Sequence, residues 1–364
     1  MKSIYDHLLA WKNDNPDFKF IQYDRDFKLS DVIHEVDSIS NMIRDIPDVY
    51  LGIYLNISID VIFLYLACIK AGRIPVIFNP LWSSKQITTV VNQYKIEHIV
   101  SSWELGRDIE GSPIIYYFEE ILNSSKGCGV PNDYKSNIDF ESILFTSGSE
   151  GIPKAVCLTQ DNFNESCKTW NKQIHFKSGD KYTMILPVYH ISGISILYRA
   201  IHYRLHLEIF DSYKLAKNMK GSIISLIPSI LNRMIDDEEY IDLLKSYRAI
   251  IIGGEPPGKT LLSKCIDFGL RVFVAYGMTE TCSGVCGFWI HEYPDRLKSS
   301  GKPFEDVEIN ENNGYLSIKS KMNMKGYFLD NDLKGAISTS DKGQIVDGFV
   351  YVDSRDLSII SGGE

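Results

Sequence analysis

Apolar positions recur at helical spacing in LSDVIHEVDSISNMI, where Ser30 and Asp31 supply a cap, and SIDVIFLYLACIKAG reads as a largely buried helix closed by Gly72. Around them, VYLGIYL and IPVIFN are short β-rich runs. That strand–helix–strand order predicts a parallel sheet with helices on its faces. Residues 123–137, NSSKGCGVPNDYKSN, are polar and rich in turn formers and read as a surface connection. A second α/β set follows, with strands in YTMILP, HLEIF, IISLIP, YRAIIIGG and RVFVAYG and helices in PSILNRMI and KTLLSKCIDFG. Beyond about Asp295 the texture changes. VEINENNGYLSIKSKMNMKGY reads as short strands parted by Asn-Gly and Lys-Gly turns, a small antiparallel β unit.

The expected fold class is therefore α/β, with two subdomains built on parallel-rich sheets plus the small antiparallel unit. The expected bounds are 1–140, 141–295 and 296–352, with 353–364 as a terminal stub. A chain of 364 residues buries cores of this size without disulfide staples. Its seven cysteines are scattered, which fits a reducing, cytoplasmic setting. Cys282 and Cys286 form the one close pair, and small buried thiols are the default reading over a zinc site. The 47 acidic and 38 basic residues leave a formal charge of −9, which argues against nucleic acid and anionic membrane as partners. The N-terminal segment has no apolar stretch of signal-peptide type, and VIFLYLACI is about half a membrane span. The oligomeric state is left open, a homo-oligomer included.

Two segments carry chemistry. In LFTSGSEGIPK a β-like run leads into hydroxyls, glycines and a lysine. Gly148 and Gly151 allow main-chain N–H groups to turn inward, Thr146, Ser147 and Ser149 add short donors, and Lys154 adds a mobile positive charge. This set suits polyphosphate, although Lys154 follows Pro153, so it is no Walker A loop. In AYGMTET, again after a β-rich run, Tyr276 offers a ring for a purine, Thr279 a donor for phosphate and Glu280 a carboxylate for Mg²⁺. A plain surface loop and a strand-end turn are the competing readings of each segment taken alone.

Together the two segments resemble the adenylate-forming family of acyl-CoA synthetases, luciferases and nonribosomal adenylation domains. Further matches stand in the family's order: LPVYH ending at His190, the Gly253, Gly254, Glu255, Pro256 turn, the STSD run ending at Asp341, and residues 353–364 as the hinge. LPVYHISGISILYRAI, ISLIPSILNRMI, AYGMTETCS and IISGGE further resemble the 2-succinylbenzoate–CoA ligases of menaquinone biosynthesis.

The resemblance implies the large N-terminal domain of an AMP-forming acid–thiol ligase. Its substrates would be ATP, a small carboxylic acid and coenzyme A, with Mg²⁺ as cofactor. It implies that Thr146, Ser147, Gly148, Ser149, Gly151 and Lys154 contact the β- and γ-phosphates. Gly253, Gly254, Glu255 and Tyr276 would frame the adenine, and Asp341 would take the ribose hydroxyls. Thr279 would hold the α-phosphate, Glu280 the metal, and His190 would sit beside the carboxylate being activated. His190, Ser192, Arg199, Gly277 and Met278 would line the acid's pocket. For Arg199, two readings stand: it neutralises a second carboxylate of the acid, or it forms an internal ion pair. The turns around Ser147 and Thr279 are expected to grip the triphosphate between them.

Some residues depart from the family pattern. Glu150 stands where the family has threonine, Ser340 where it has glycine, and Ser354 where it has a ribose-binding arginine, with Arg355 one place off. Asp356 takes the hinge position. The sequence stops at Glu364, and the resemblance implies that the small C-terminal domain with its catalytic lysine is missing and that turnover is impaired. The alternatives are an adenylating enzyme for another acid and a degenerate, non-catalytic nucleotide-binding homologue.

Overall fold

A computed structural model describes residues 3–56, 58–111, 113–123, 138–146, 152–216, 221–330 and 332–355. The chain divides into two compact units. The first comprises residues 1–160, 187–190 and 325–332, and the second residues 161–186, 191–324 and 333–364.

The first unit opens with a helix, α1 (Ile4–Asp14), whose N-cap Ser3 accepts a hydrogen bond from the Asp6 N–H, and a hairpin, β1 (Lys19–Gln22) and β2 (Asp26–Lys28). Helix α2 (Leu29–Ile43) begins one residue before the expected cap. One bond ties the helix start: the Lys28 N–H donates to the Asp31 carboxylate at 2.9 Å. Strands β3 (Tyr50–Tyr54), β4 (Ile74–Ile77), β5 (His98–Ser101) and β6 (Ile114–Tyr117) alternate with helices α3 (Ser58–Lys70), α4 (Ser84–Tyr94) and α5 (Trp103–Gly106), and α6 (Phe118–Asn123) follows. Helix α3 is buried along most of its length and closes at Gly72, whose φ of +72° suits glycine.

Strands β7 (Ser142–Thr146) and β8 (Lys154–Leu158) complete this sheet, in the order β8-β7-β4-β3-β5-β6. They were expected in the second subdomain. Instead β7 runs parallel to β4, with Val76 opposite Ile143, and β8 returns antiparallel beside it. The pairing partner, rather than the motif, fixes which core these strands join. At the outer edge Gly326–Tyr327 (β18) pairs antiparallel with β8. Of Lys325-Gly326, expected as a turn, Gly326 therefore belongs to a strand and the Lys325 N–H donates to the Cys157 carbonyl of β8. The core of this sheet holds Phe78, Tyr94, Phe145, Ala155 and Phe328, and Arg73, just before β4, is fully buried.

The second unit alternates β9 (Lys181–Met184), β10 (His206–Ile209), β11 (Ile223–Leu226), β12 (Ala249–Ile252) and β13 (Val272–Met278) with helices. These are α7 (Gln160–Ile174), α8 (Ile191–Tyr203), α9 (Pro228–Ile235), α10 (Ile241–Ser246) and α11 (Lys259–Asp267). Strands β10, β9, β11, β12 and β13 are parallel in that order. Strands β14 (Ser283–Trp289) and β15 (Lys302–Pro303) extend the edge antiparallel.

Antiparallel strands β16 (Glu308–Asn312), β17 (Tyr315–Lys319), β19 (Ile337–Val346) and β20 (Phe349–Arg355) form the small β sheet. Asn313 and Gly314, both with positive φ, make the expected tight turn between β16 and β17. Among the described residues no helix is long and apolar enough to cross a membrane.

Candidate functional site

In the first unit, the glycine-rich segment joins two hydrogen-bonded strands. Thr146 and Lys154 lie opposite each other at the open end of the β7–β8 pair. Tyr94 holds the returning arm: its hydroxyl donates to the Pro153 carbonyl at 2.9 Å and accepts from the Ala155 N–H at 3.3 Å. Its ring packs against Phe145 and Phe328. Lys154 is exposed, with its ammonium 5.3 Å above the Tyr327 ring. Ser147, Gly148, Ser149, Glu150 and Gly151 lie outside the described residues, and so does the expectation that their turn grips a triphosphate opposite Thr279. His190 belongs to the same unit. It is half-buried, its N–H donates to the Pro187 carbonyl at 3.1 Å, and its ring lies 4.6 Å from that of Tyr189.

In the second unit, residues from four segments converge. Strands β12 and β13 are parallel neighbours, so their carboxyl ends emerge side by side. Gly253 follows β12 so closely against β13 that a Cβ there would lie 2.9 Å from the Ala275 carbonyl oxygen. Gly254 has a φ of +84°. Glu255 is half-buried, and its carboxylate accepts from the Ser229 N–H and hydroxyl, both at 3.3 Å, in the first turn of α9. Its side chain is therefore engaged within the protein, and its main chain is what it can offer a base.

Tyr276 and Asp341, more than sixty residues apart, meet directly. The Tyr276 hydroxyl donates to Asp341 Oδ2 at 2.6 Å. Asp341 is 1% exposed and lies in β19 of the small sheet, where its N–H donates to the Thr339 hydroxyl. The chain thus places the ring expected against a purine and the carboxylate expected on a ribose in one bonded pair.

Just beyond Tyr276 the β13–β14 ladder bulges. A Cβ on Gly277 would fall 2.0 Å from the Ser283 carbonyl oxygen, so only glycine fits. The turn that follows, Thr279 to Thr281, is tied at both ends. The Thr281 hydroxyl accepts from the Met278 N–H at 3.0 Å, and the Glu280 carbonyl accepts from the Met324 N–H at 2.7 Å. Helix α7 secures the surrounding chain: Asn162 donates to the carbonyls of Lys321 and Asn323, and Ser166 to that of Cys282. Asn162 and Ser166 occupy one face of a polar helix, at i and i+4, and nothing in the sequence separated them from solvent-facing neighbours. Cys282 and Cys286 are buried thiols with pKa pushed far up by burial, so both are neutral, as small core residues should be.

Arg199 is 2% exposed on α8. Its guanidinium donates to the Tyr182 hydroxyl at 3.3 Å and the Ser283 hydroxyl at 3.0 Å, and lies 4.2 Å over the Trp170 ring. Among the described residues it forms no ion pair, so the internal partner that the sequence allowed for is not found there. Ser283 pairs with Met278 across the β13–β14 ladder, which brings the Arg199 charge to the turn carrying Gly277 and Met278. Ser192 lies in the first turn of the same helix, where its carbonyl accepts from the Ser195 hydroxyl.

A family model for AMP-binding enzymes matches residues 10–328. The chain belongs to that family. Within it, the 2-succinylbenzoate–CoA ligase of Staphylococcus epidermidis is 28% identical over 355 residues, an alignment covering 92% of this chain and 73% of that protein. The fold matches that of Bacillus subtilis o-succinylbenzoate coenzyme A synthetase in complex with ATP and magnesium ion. The TM-score is 0.87 at 23% identity, over 98% of this chain and 81% of the other. It also matches the N-terminal domain of Mycobacterium tuberculosis FACL13, with a TM-score of 0.85 at 18% identity, over 97% of this chain and all of that one. The family membership agrees with the resemblance carried by the Thr146 and Tyr276 segments, and the large-domain fold with the α/β class expected.

Proposed function

We propose that this chain is an ATP-dependent, AMP-forming ligase that activates 2-succinylbenzoate as its acyl-adenylate and joins it to coenzyme A. The observation that carries the reading is the Tyr276–Asp341 hydrogen bond, which fixes a planar ring beside a buried carboxylate at the carboxyl end of a parallel sheet. Such strand ends are where open α/β sheets bind ligands.

In the first step a substrate carboxylate oxygen attacks the α-phosphorus of ATP and pyrophosphate leaves. In the second the coenzyme A thiol attacks the mixed anhydride and AMP leaves. Phosphoryl chemistry of this kind asks mainly for positioning and charge neutralisation. Tyr276 and the main chain of Gly253, Gly254 and Glu255 frame the adenine, and Asp341 accepts from the ribose hydroxyls. Thr279 donates to the α-phosphate. Thr146 and Lys154, with the loop between them, contact the β- and γ-phosphates, and His190 sits beside the reacting carboxylate. The Glu280 carboxylate, a hard oxygen donor on a turn fixed by Met324, suits Mg²⁺, which would neutralise phosphate charge.

The substrate assignment gains support from Arg199. A buried guanidinium held by two hydroxyls and a ring, and paired with no carboxylate among the described residues, is a costly arrangement that a substrate anion would relieve. 2-Succinylbenzoate has such a second carboxylate, beyond the one activated. A cytoplasmic location fits the composition. The test is pyrophosphate release with a panel of acids. Release with 2-succinylbenzoate well above that with benzoate or a fatty acid supports the assignment. Preference for another acid would move the chain to a different adenylating role. Absence of ATP·Mg²⁺ binding by calorimetry would instead mark a non-catalytic homologue.

A further inference from the structure

At the amino ends of its parallel strands the first unit gathers three metal-ligating side chains that adenylation leaves unused. Asp48 lies two residues before β3, and Glu97 and His98 stand at the start of the adjacent strand β5. One carboxylate oxygen of Asp48, one of Glu97 and one ring nitrogen of His98 lie within 4.8 Å of one another. His98 is 4% exposed. Its Nδ1 lies 3.1 Å from the Tyr116 hydroxyl of β6, its one hydrogen-bond partner among the described residues, so Nε2 is engaged by none of them. A histidine oriented through one nitrogen with the other left bare is the usual arrangement behind a metal ligand. The Asp48 carboxylate is itself held in place, accepting from the Tyr50 N–H at 3.2 Å.

The nearby charges permit a cation. Arg73 is fully buried, but its guanidinium donates to the main-chain carbonyls of Asp48 and Arg44, not to the Asp48 carboxylate. The two carboxylates outnumber the one guanidinium beside them, so a divalent ion is attracted and the repulsion between the carboxylates is relieved. We propose that Asp48, Glu97 and His98 bind a first-row divalent metal ion, Zn²⁺ foremost, at the amino end of the sheet. One nitrogen and two oxygens favour such an ion over Mg²⁺, and three protein ligands leave a position for water. Donors ~2 Å from a tetrahedral zinc sit roughly 3.4 Å apart. The exposed Glu97 side chain can supply that contraction. Thr146 ends β7 at the carboxyl end of the same sheet, so this site is separate from the phosphate segment. The metal would join β3 to β5 and stabilise the folded unit by mass action.

The test is calorimetric titration of the EDTA-treated, nucleotide-free chain with ZnCl₂, alongside its Tm with and without zinc. The wild type should bind one Zn²⁺ with a rise in Tm, and excess Mg²⁺ should not displace it. Glu97→Gln, exposed and so harmless to folding, should weaken binding at least tenfold, and His98→Ala should abolish it. Glu280→Gln should bind zinc like the wild type, which separates this site from the one proposed for ATP·Mg²⁺. No zinc binding by the wild type, or equal binding by Glu97→Gln, would overturn the proposal.

Discussion

The hydroxyl of Tyr276 donates to the carboxylate of Asp341 across 2.6 Å, joining the end of β13 to the small antiparallel sheet. The bond commits both groups to one position, so neither ring nor carboxylate has to be ordered by the nucleotide. Pre-ordering of this kind raises affinity by reducing the entropy lost on binding.

Tyr276→Phe isolates that bond. It keeps the ring and removes the donor to a buried carboxylate, at a cost of about 1.5 kcal/mol, near a tenfold loss in ATP affinity. Equilibrium titration with ATP·Mg²⁺ should show that loss together with a lowered Tm. Unchanged affinity would mean that the pair is structural only.

Gly277 and Gly258 make a contrasting pair. Gly277→Ala drives a Cβ into the Ser283 carbonyl, whereas Gly258 has nothing within 4 Å. The first substitution should destabilise the chain by ~2 kcal/mol or more and suppress adenylate formation, through the strain of forcing apart a paired backbone. Gly258→Ala should leave both Tm and activity near wild type. Thermal unfolding and pyrophosphate release read the two effects.

Arg199→Ala should raise KM for 2-succinylbenzoate at least tenfold while leaving KM for a monocarboxylate analogue little changed. Equal effects on both acids would assign Arg199 to packing against Trp170 and Tyr182.

Asn162 acts on Glu280 at one remove, through the segment carrying Met324. Asn162→Ala gives up two hydrogen bonds to main-chain carbonyls, and the apparent Mg²⁺ requirement for adenylation should rise several-fold. A purely structural role would lower Tm and leave the Mg²⁺ dependence as it was.

Much of this was legible in the sequence, and the failures have physical reasons. Periodicity located α3, and β12 and β13 sit where β-branched runs meet Gly253 and Gly277. Asn313-Gly314 announced its own turn, because only residues tolerant of positive φ close a two-residue hairpin. Assignment of β7 and β8 to the second core failed because strand pairing is non-local: the segment's own pattern does not say that β4 is its neighbour. The Lys325-Gly326 pair failed similarly, being captured by the edge of β8. At the site, motif residues were visible but their supports were not. Trp170, Tyr182 and Ser283 around Arg199 are ordinary core or strand residues until the fold brings them together.

Acid stability should depend on Asp180. Burial alone would raise its carboxyl pKa, but the Arg248 hydrogen bonds, with the Lys177 N–H and the Arg248 charge, outweigh it and hold the pKa below the ordinary value. A depressed folded pKa contributes stability that is complete above the unfolded value near 4 and is lost as pH falls through the folded one. Asp180→Asn should therefore cost ~2 kcal/mol at neutral pH, between the values for exposed and buried pairs. The wild-type advantage should shrink below about pH 4. Urea unfolding at pH 7 and pH 3 measures the difference.

The most direct test is mass-spectrometric detection of the acyl-adenylate after incubating the chain with ATP, Mg²⁺ and 2-succinylbenzoate. The proposed function predicts succinylbenzoyl-AMP with matching pyrophosphate, and its loss in Tyr276→Phe/Asp341→Ala. No adenylate under conditions where another carboxylic acid yields one, or equal yield from the double variant, would contradict it.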